Sequence, residues 1–118
     1  MDKDETIIEV LKRLRTDLGK QTFQVVDHWE ADLVAVGIAS PSNPRILAYI
    51  STLNYPEHGY FLELEAPGKS EDLDDYKVIG TWDRLNDEDL KKHIQKHLVI
   101  PTSRSEPVRL DNPSNAKK

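Results

Sequence analysis

The densest set of chemistry-bearing side chains is Asp27-His28-Trp29-Glu30-Ala31-Asp32, with three carboxylates and an imidazole inside six positions. Oxygen and nitrogen donors of this kind hold divalent cations, and an imidazole beside a carboxylate passes protons near neutral pH. His58, in Tyr55-Pro56-Glu57-His58-Gly59, joins this set if the two loops share one end of a sheet. The spacing matches no established metal loop, and the turn lacks the glycine that a tight calcium loop needs for its bend. Asp27, His28, Glu30 and His58 are therefore weak candidates for a metal or acid–base site, with polar hairpin residues as the plainer reading. His93 and His97 stand four apart, the helical half of a metal pair, but no Glu adjoins them and no third ligand is near in sequence. They are expected on a helix surface.

Other reactive groups have no setting. Ser40, Ser42, Ser51 and Ser70 sit in no Gly-x-Ser-x-Gly elbow, and the glycines stand apart from one another, so no phosphate-cradling loop is built. The chain has no cysteine, which excludes structural disulfides and thiolate sites. The expectation is a protein without catalytic residues, cofactor or resident metal.

Charge carries more information. The net charge of the 118 residues is -5, but residues 63 to 90 hold ten acids against Lys69, Lys77 and Arg84. An acidic field repels phosphate backbones and draws in basic proteins, so a nucleic-acid partner is disfavoured and a basic protein partner is favoured. Aromatic residues lie among these acids, and exposed aromatics beside carboxylates make good interface anchors. The expected partner-binding residues are Glu71, Asp72, Asp74, Asp75, Tyr76, Tyr55, Phe61 and Glu63. Tyr60 and either Trp29 or Trp82 are expected in the core.

The elements that must position these groups follow from hydrophobic period. Ile7, Leu11, Leu14 and Leu18, widened by Ile8 and Val10, form one face of a helix, with Asp2 or Asp4 as its cap and Gly19 closing it in a left-handed conformation. A second helix starts at the cap Asn86, carries Asp87, Glu88 and Asp89 in its first turn, and buries Leu90, Ile94 and Leu98, with Leu85 stapled onto Leu90. Between them lie five short apolar segments, residues 22–29, 33–39, 45–52, 60–65 and 77–82, in which the period becomes two. Phe23, Val25, Val34, Val36, Ile38, Ile46, Ala48, Ile50, Tyr60, Leu62 and Leu64 mark one side. Gln24, His28, Glu63, Glu65, Lys77 and Thr81 suggest a partly wet second side. The connections at 40–44 and 55–59 are too short for parallel crossovers.

The predicted fold is therefore α+β, a five-stranded antiparallel meander with a helix at each end, spanning residues 1–100. Residues 66–76 form its longest loop and 101–118 a mobile tail. Gly37 and Gly80, inside strands, predict a bulge or close packing on an aromatic ring. The acidic N-terminus lacks the basic region of a secretory signal, and no run approaches the 18 to 20 apolar residues that span a bilayer, so a cytoplasmic protein is expected.

The stretches Val26 to Leu33, Ile50-Ser51-Thr52, Tyr60 to Glu65 and Gly80-Thr81-Trp82, in a small acidic cysteine-free chain, resemble the immunity proteins of bacterial polymorphic toxin systems. The resemblance spans about residues 20–98 and lies in architecture and composition, with no motif that transfers a functional residue. It implies a cytosolic binding protein that neutralises a basic toxin. Two alternatives stand beside it. One is a small metal-dependent hydrolase using Asp27, His28, Glu30 and His58. The other is a structural subunit that self-associates through a free sheet edge, as a monomer or weak homodimer.

Overall fold

The computed structural model describes residues 2–19, 22–26, 30–72 and 75–98. Its elements run α1 (Glu5–Leu18), β1 (Gln24–Val25), β2 (Ala35–Ser40), β3 (Asn43–Ser51), β4 (Tyr60–Pro67), β5 (Tyr76–Leu85) and α2 (Asp87–His97). The five strands form one sheet in the order β1-β2-β3-β4-β5, every neighbouring pair antiparallel. This is the expected α+β meander.

Local chemistry explains the helix ends. Asp4 caps α1 by accepting a 3.0 Å bond from the Thr6 N–H, and Asn86 caps α2 through a 2.7 Å bond from the Asp89 N–H. Gly19 closes α1 with its N–H on the Arg15 carbonyl, at φ 112° and ψ 153°, a positive-φ backbone that favours glycine but lies outside the left-handed helical well. Arg15 then lies 4.2 Å over the Phe23 ring.

The core is continuous. Ile7, Val10, Leu11, Leu14 and Leu18 of α1, together with Leu90, Ile94 and Leu98 at α2, bury against Phe23, Val36, Ile38, Ala48, Ile50, Tyr60, Leu62 and Leu64. Leu85 joins this cluster too. The start of α1 is fastened by the Asp4 N–H on the Leu33 carbonyl, Lys3 Nζ on the Asp32 carbonyl at 2.7 Å, and a 2.6 Å hydroxyl pair between Thr6 and Thr52. Lys91 pairs with Asp17 at 3.7 Å, linking the two helices.

Several strand limits differ from the periodicity. β1 is two residues long, Gln24 and Val25 pairing with Ala39 and Ile38, and the Val26 N–H adds a 2.9 Å bond to the Gly37 carbonyl. β2 begins at Ala35, since Asp32 makes a turn in which its carboxylate accepts the Val34 N–H. β5 reaches from Tyr76 to Leu85, four residues longer than its apolar core, and two register irregularities let it follow β4. The first is the extra residue Ile79 between Val78 and Gly80. The second is Asp83–Arg84, where Arg84 takes φ 64°. The acidic loop correspondingly shortens to Gly68–Asp75.

Candidate functional site: the outer face of the sheet

Register sets the residues of the face away from the helices. Gly37, Tyr49, Glu63 and Thr81 stand opposite one another on β2, β3, β4 and β5, flanked by the pairs Ser51 with Phe61 and Leu47 with Glu65. Alternation puts these side chains opposite to the core residues between them. The expected wet face exists only toward β5. β2 is buried on both sides, with Ala35 and Ala39 fully covered, and Leu47 and Ser51 of β3 are buried too.

Glu65 is the largest departure. Predicted on the wet side, it is only 3% exposed. Burial, followed by the adjacent Glu63 carboxyl on the same face, pushes its carboxyl up to about 7. No base is among the causes, so Glu65 keeps its proton well above the range in which a solvated glutamate loses it. Across from Glu63, Tyr49 donates its hydroxyl to Asp32 at 3.4 Å and meets Phe61 edge-on, ring centroids 6.0 Å apart. Burial, then Asp32, raises the Tyr49 phenol.

At one end of this face lies the acidic loop, organised by a single base. Arg45 Nη2 donates to the carbonyls of Ser70, Asp72 and Asp75 at 3.0, 3.1 and 2.9 Å. The Asp75 carboxylate accepts the Ser70 N–H at 2.7 Å, a bond that lowers its pKa, and the Asp75 carbonyl accepts the Gly68 N–H. Asp75 is thus a loop-forming residue, half-buried, rather than a free interface acid. Glu71 and Asp72 are exposed, and Tyr76 is 51% exposed.

At the other end, two concavities of about 410 and 420 Å³ share His58, Gly59 and Arg84. Tyr49, Ser51, Asn54, Phe61 and Asp83 line the first, and Tyr55, Glu57 and Asp87 the second. Beneath them Tyr60 donates to Asp87 at 2.7 Å and accepts from Arg13 at 2.6 Å, while Tyr55 stacks on the Tyr60 ring at 4.5 Å. Burial, then the Asp87 bond, raises the Tyr60 phenol strongly. Tyr55 was expected as an interface anchor. It is instead half-buried against the core, held there by this stacking.

The expected partner residues form no single patch. Phe61 and Glu63 lie mid-face, both half-buried; Glu71, Asp72, Asp75 and Tyr76 gather at the loop end; Tyr55 packs on the opposite side. Asp74 is outside the described residues, as are Asp27, His28, Trp29 and the segment 101–118. Of the metal candidates, Glu30 and His58 are described and exposed. Among the described residues, no three His, Asp or Glu side chains are placed to hold a metal ion.

His93 and His97 leave the helix surface predicted for them. The Trp82 ring sits 4.2 Å from His93, and Nε2–H of His97 donates to the Leu47 and Glu65 carbonyls at 3.1 and 2.9 Å. Helical spacing carries a signal of this, because 93 and 97 flank the buried stripe 90/94/98. The roles of Arg45 and Glu65 had no sequence signal beyond an odd strand position. Trp82, expected as a core candidate, is half-buried at the core margin.

The class these observations define is a two-layer α+β domain with an acid-bearing sheet. No protein-family model matches the chain, and comparison with curated proteins and with solved structures finds no match either.

Proposed function

We propose that this protein is a non-enzymatic binding module that takes a basic protein surface on the outer layer of its sheet. The supporting observation is the segregation of charge. Helices α1 and α2 each carry three acids and three bases, whereas the described strand and loop residues from 22 to 86 carry nine acids against four bases. Arg45, one of those four, is spent on the carbonyls of the acidic loop. The acid excess therefore lies in one layer, among the half-buried rings of Tyr49 and Phe61 and the exposed ring of Tyr76. Aromatic anchors within a one-sign field suit a partner of opposite charge, for which the field speeds encounter and the rings hold.

An immunity protein directed at a basic toxin is the specific form of this reading, in a cytoplasmic setting. The metal-dependent hydrolase reading rests on Asp27, His28, Glu30 and His58, of which Glu30 and His58 are described, and among the described residues no three metal-binding side chains gather.

The test is capture from native lysate with wild type and with the variant Glu71→Lys, Asp72→Lys, Asp83→Lys, all at exposed positions. Circular dichroism checks that the variant folds. A basic protein retained by wild type, released by salt and lost by the variant supports the proposal. Equal capture by both, or no salt-sensitive basic partner, overturns it.

A further inference from the structure

Arg84 is set apart by its backbone and by its side chain. Two residues of β5, Asp83 and Arg84, stand against the single residue Phe61 of β4, and Arg84 takes φ 64°, the one positive φ outside glycine among the described residues. A residue with a Cβ is strained there, and a bulge re-aims the side chain it carries. The other described arginines are engaged, Arg13 by Tyr60 and Asp87, Arg15 over the Phe23 ring and Arg45 by three carbonyls. The Arg84 guanidinium has no hydrogen bond or ion pair among the described residues, and neither has the His58 ring. Both line the 410 Å³ concavity, together with an apolar wall of Tyr49, Leu53, Tyr60 and Phe61. Leu53 is the most exposed large apolar residue of those described, at 71%. The loop that carries His58 is built in place. Its Leu53 N–H bonds Ser51 Oγ at 3.2 Å, its His58 N–H bonds the Asn54 carbonyl at 2.8 Å, and Gly59, at φ 84°, rests on β5 so closely that a Cβ would stand 2.5 Å from the Leu85 carbonyl oxygen.

We propose that this concavity binds a small aromatic monocarboxylate, with the carboxylate on Arg84 and His58 and the ring against Phe61, Tyr49 and Leu53. Its volume falls within the roughly 300–1,000 Å³ of small-molecule sites, and an apolar wall with a few polar groups is their usual composition. A guanidinium presents a planar fork that meets a carboxylate with two parallel N–H···O bonds, and an imidazole N–H adds a third donor. The aromatic body follows from the wall, because a bare carboxylate would leave Leu53 and Phe61 as uncovered as before. The single charge follows from Asp83, which lines the same concavity and repels a dianion that Arg84 alone cannot balance. The neighbouring concavity shares His58, Gly59 and Arg84 but adds the carboxylates of Glu57 and Asp87, which makes it the poorer place for an anion. Tyr49 and Phe61 border the acidic layer, but the recognising groups, Arg84 and His58, are no part of the surface that takes a basic protein. A small ligand is measured without that partner.

The experiment is an NMR titration of the isotope-labelled full chain with phenylacetate, beside phenylacetamide, acetate and phenyl phosphate, repeated on Arg84→Gly and Arg84→Lys. Circular dichroism checks both variants for fold. The expected result is saturable amide shifts at Asn54, His58, Gly59, Phe61 and Arg84, with Kd on the order of 0.1–1 mM for phenylacetate. The neutral amide, the ringless acetate and the dianionic phosphate should each bind more weakly by on the order of tenfold. Arg84→Gly keeps the positive φ without strain and removes only the guanidinium, so it should fold and lose affinity on the order of tenfold. Arg84→Lys keeps the charge without the fork and should fall between the two. Absence of saturable shifts overturns the proposal, as do shifts centred away from these residues. Phenylacetamide binding as well as phenylacetate, or Arg84→Gly binding as well as wild type, shows a ring-filled hollow with no carboxylate site and overturns it too. Preference for phenyl phosphate would mean a phosphate site and likewise refute it.

Discussion

Replacing Glu65 by Gln removes a buried carboxyl that resists ionisation, and the effect on stability has a defined sign and window. In the folded chain its pKa is about 7 against an ordinary 4.5, so between these pH values the native state holds a proton that the unfolded state has released. Where the native state binds more protons, stability falls as pH rises. Below about pH 4.5 both states are protonated and nothing is lost; above about pH 7 the full loss is present. At 1.36 kcal/mol per tenfold change in proton affinity, the ceiling is about 3 kcal/mol, a large part of the 5–15 kcal/mol typical of a domain. Asp4 and Asp75, whose carboxyls are held below their ordinary range by bonds from Thr6 and Ser70, act in the opposite sense but only below about pH 4, outside this window. The assay is urea unfolding of wild type and Glu65→Gln at pH 5 and pH 8. Wild type should lose about 2–3 kcal/mol more than the variant over this interval, and Glu65→Gln should be the more stable protein at pH 8. If both lose stability equally, Glu65 ionises as a solvated carboxylate and the account of the outer face is wrong.

Three further perturbations read the packing. Tyr60→Phe removes the hydroxyl that joins Arg13 to Asp87 and should cost about 1–2 kcal/mol in urea unfolding, the lower part of the range for bonds to charged groups because both partners are partly wet; an unchanged midpoint would show the network to be idle. Gly80→Ala places a Cβ 2.7 Å from Cη2 of Trp82, so the ring must move at a cost of about 1–3 kcal/mol, visible as a shift in Trp82 emission in a Trp29→Phe background; unaltered emission would deny the contact. Arg45→Met frees the loop carbonyls and should speed trypsin cleavage after Lys69 without a comparable change in global stability, whereas equal cleavage of both proteins would mean that Arg45 does not hold the loop.

The meander was legible because each of its signals is local. Helical period gave Ile7 to Leu18, caps gave Asn86 and narrowed the first to Asp2 or Asp4, and short polar connections between alternating segments forced antiparallel pairing. Gly80 was legible for the same reason, since a glycine two residues before a tryptophan in a strand places the missing side chain beneath the ring. Depth on the second face was not legible. Glu63 and Glu65 share a parity and look alike in sequence, yet Glu65 is buried and Glu63 half-exposed, a difference set by tertiary cover over one end of β4. Asp75 was likewise indistinguishable from its acidic neighbours, because the base that fixes the loop, Arg45, stands thirty positions earlier. The stacking of Tyr55 on Tyr60 was not legible either, because no spacing rule anticipates it.

The raised Glu65 carboxyl beside Glu63 also bears on how a basic partner would bind. A lysine or arginine arriving at Glu63 favours the ionised pair, so it lowers the carboxyl that burial and Glu63 hold at about 7. The complex then binds fewer protons than the free protein, and linkage makes affinity rise with pH. Between about pH 5 and 7 the association constant should increase by up to tenfold per pH unit, flattening above pH 7. Glu65→Gln should abolish this dependence while leaving the exposed acids Glu71, Asp72 and Asp83 in place. Calorimetry of the captured partner in buffers of different ionisation enthalpy measures the released proton directly. Proton release at pH 6 in wild type and none in the variant would place the partner's cation on this pair. Tight binding with no proton release in either would move the contact to the loop end, where Glu71 and Asp72 are exposed, and leave Glu63 and Glu65 outside the interface.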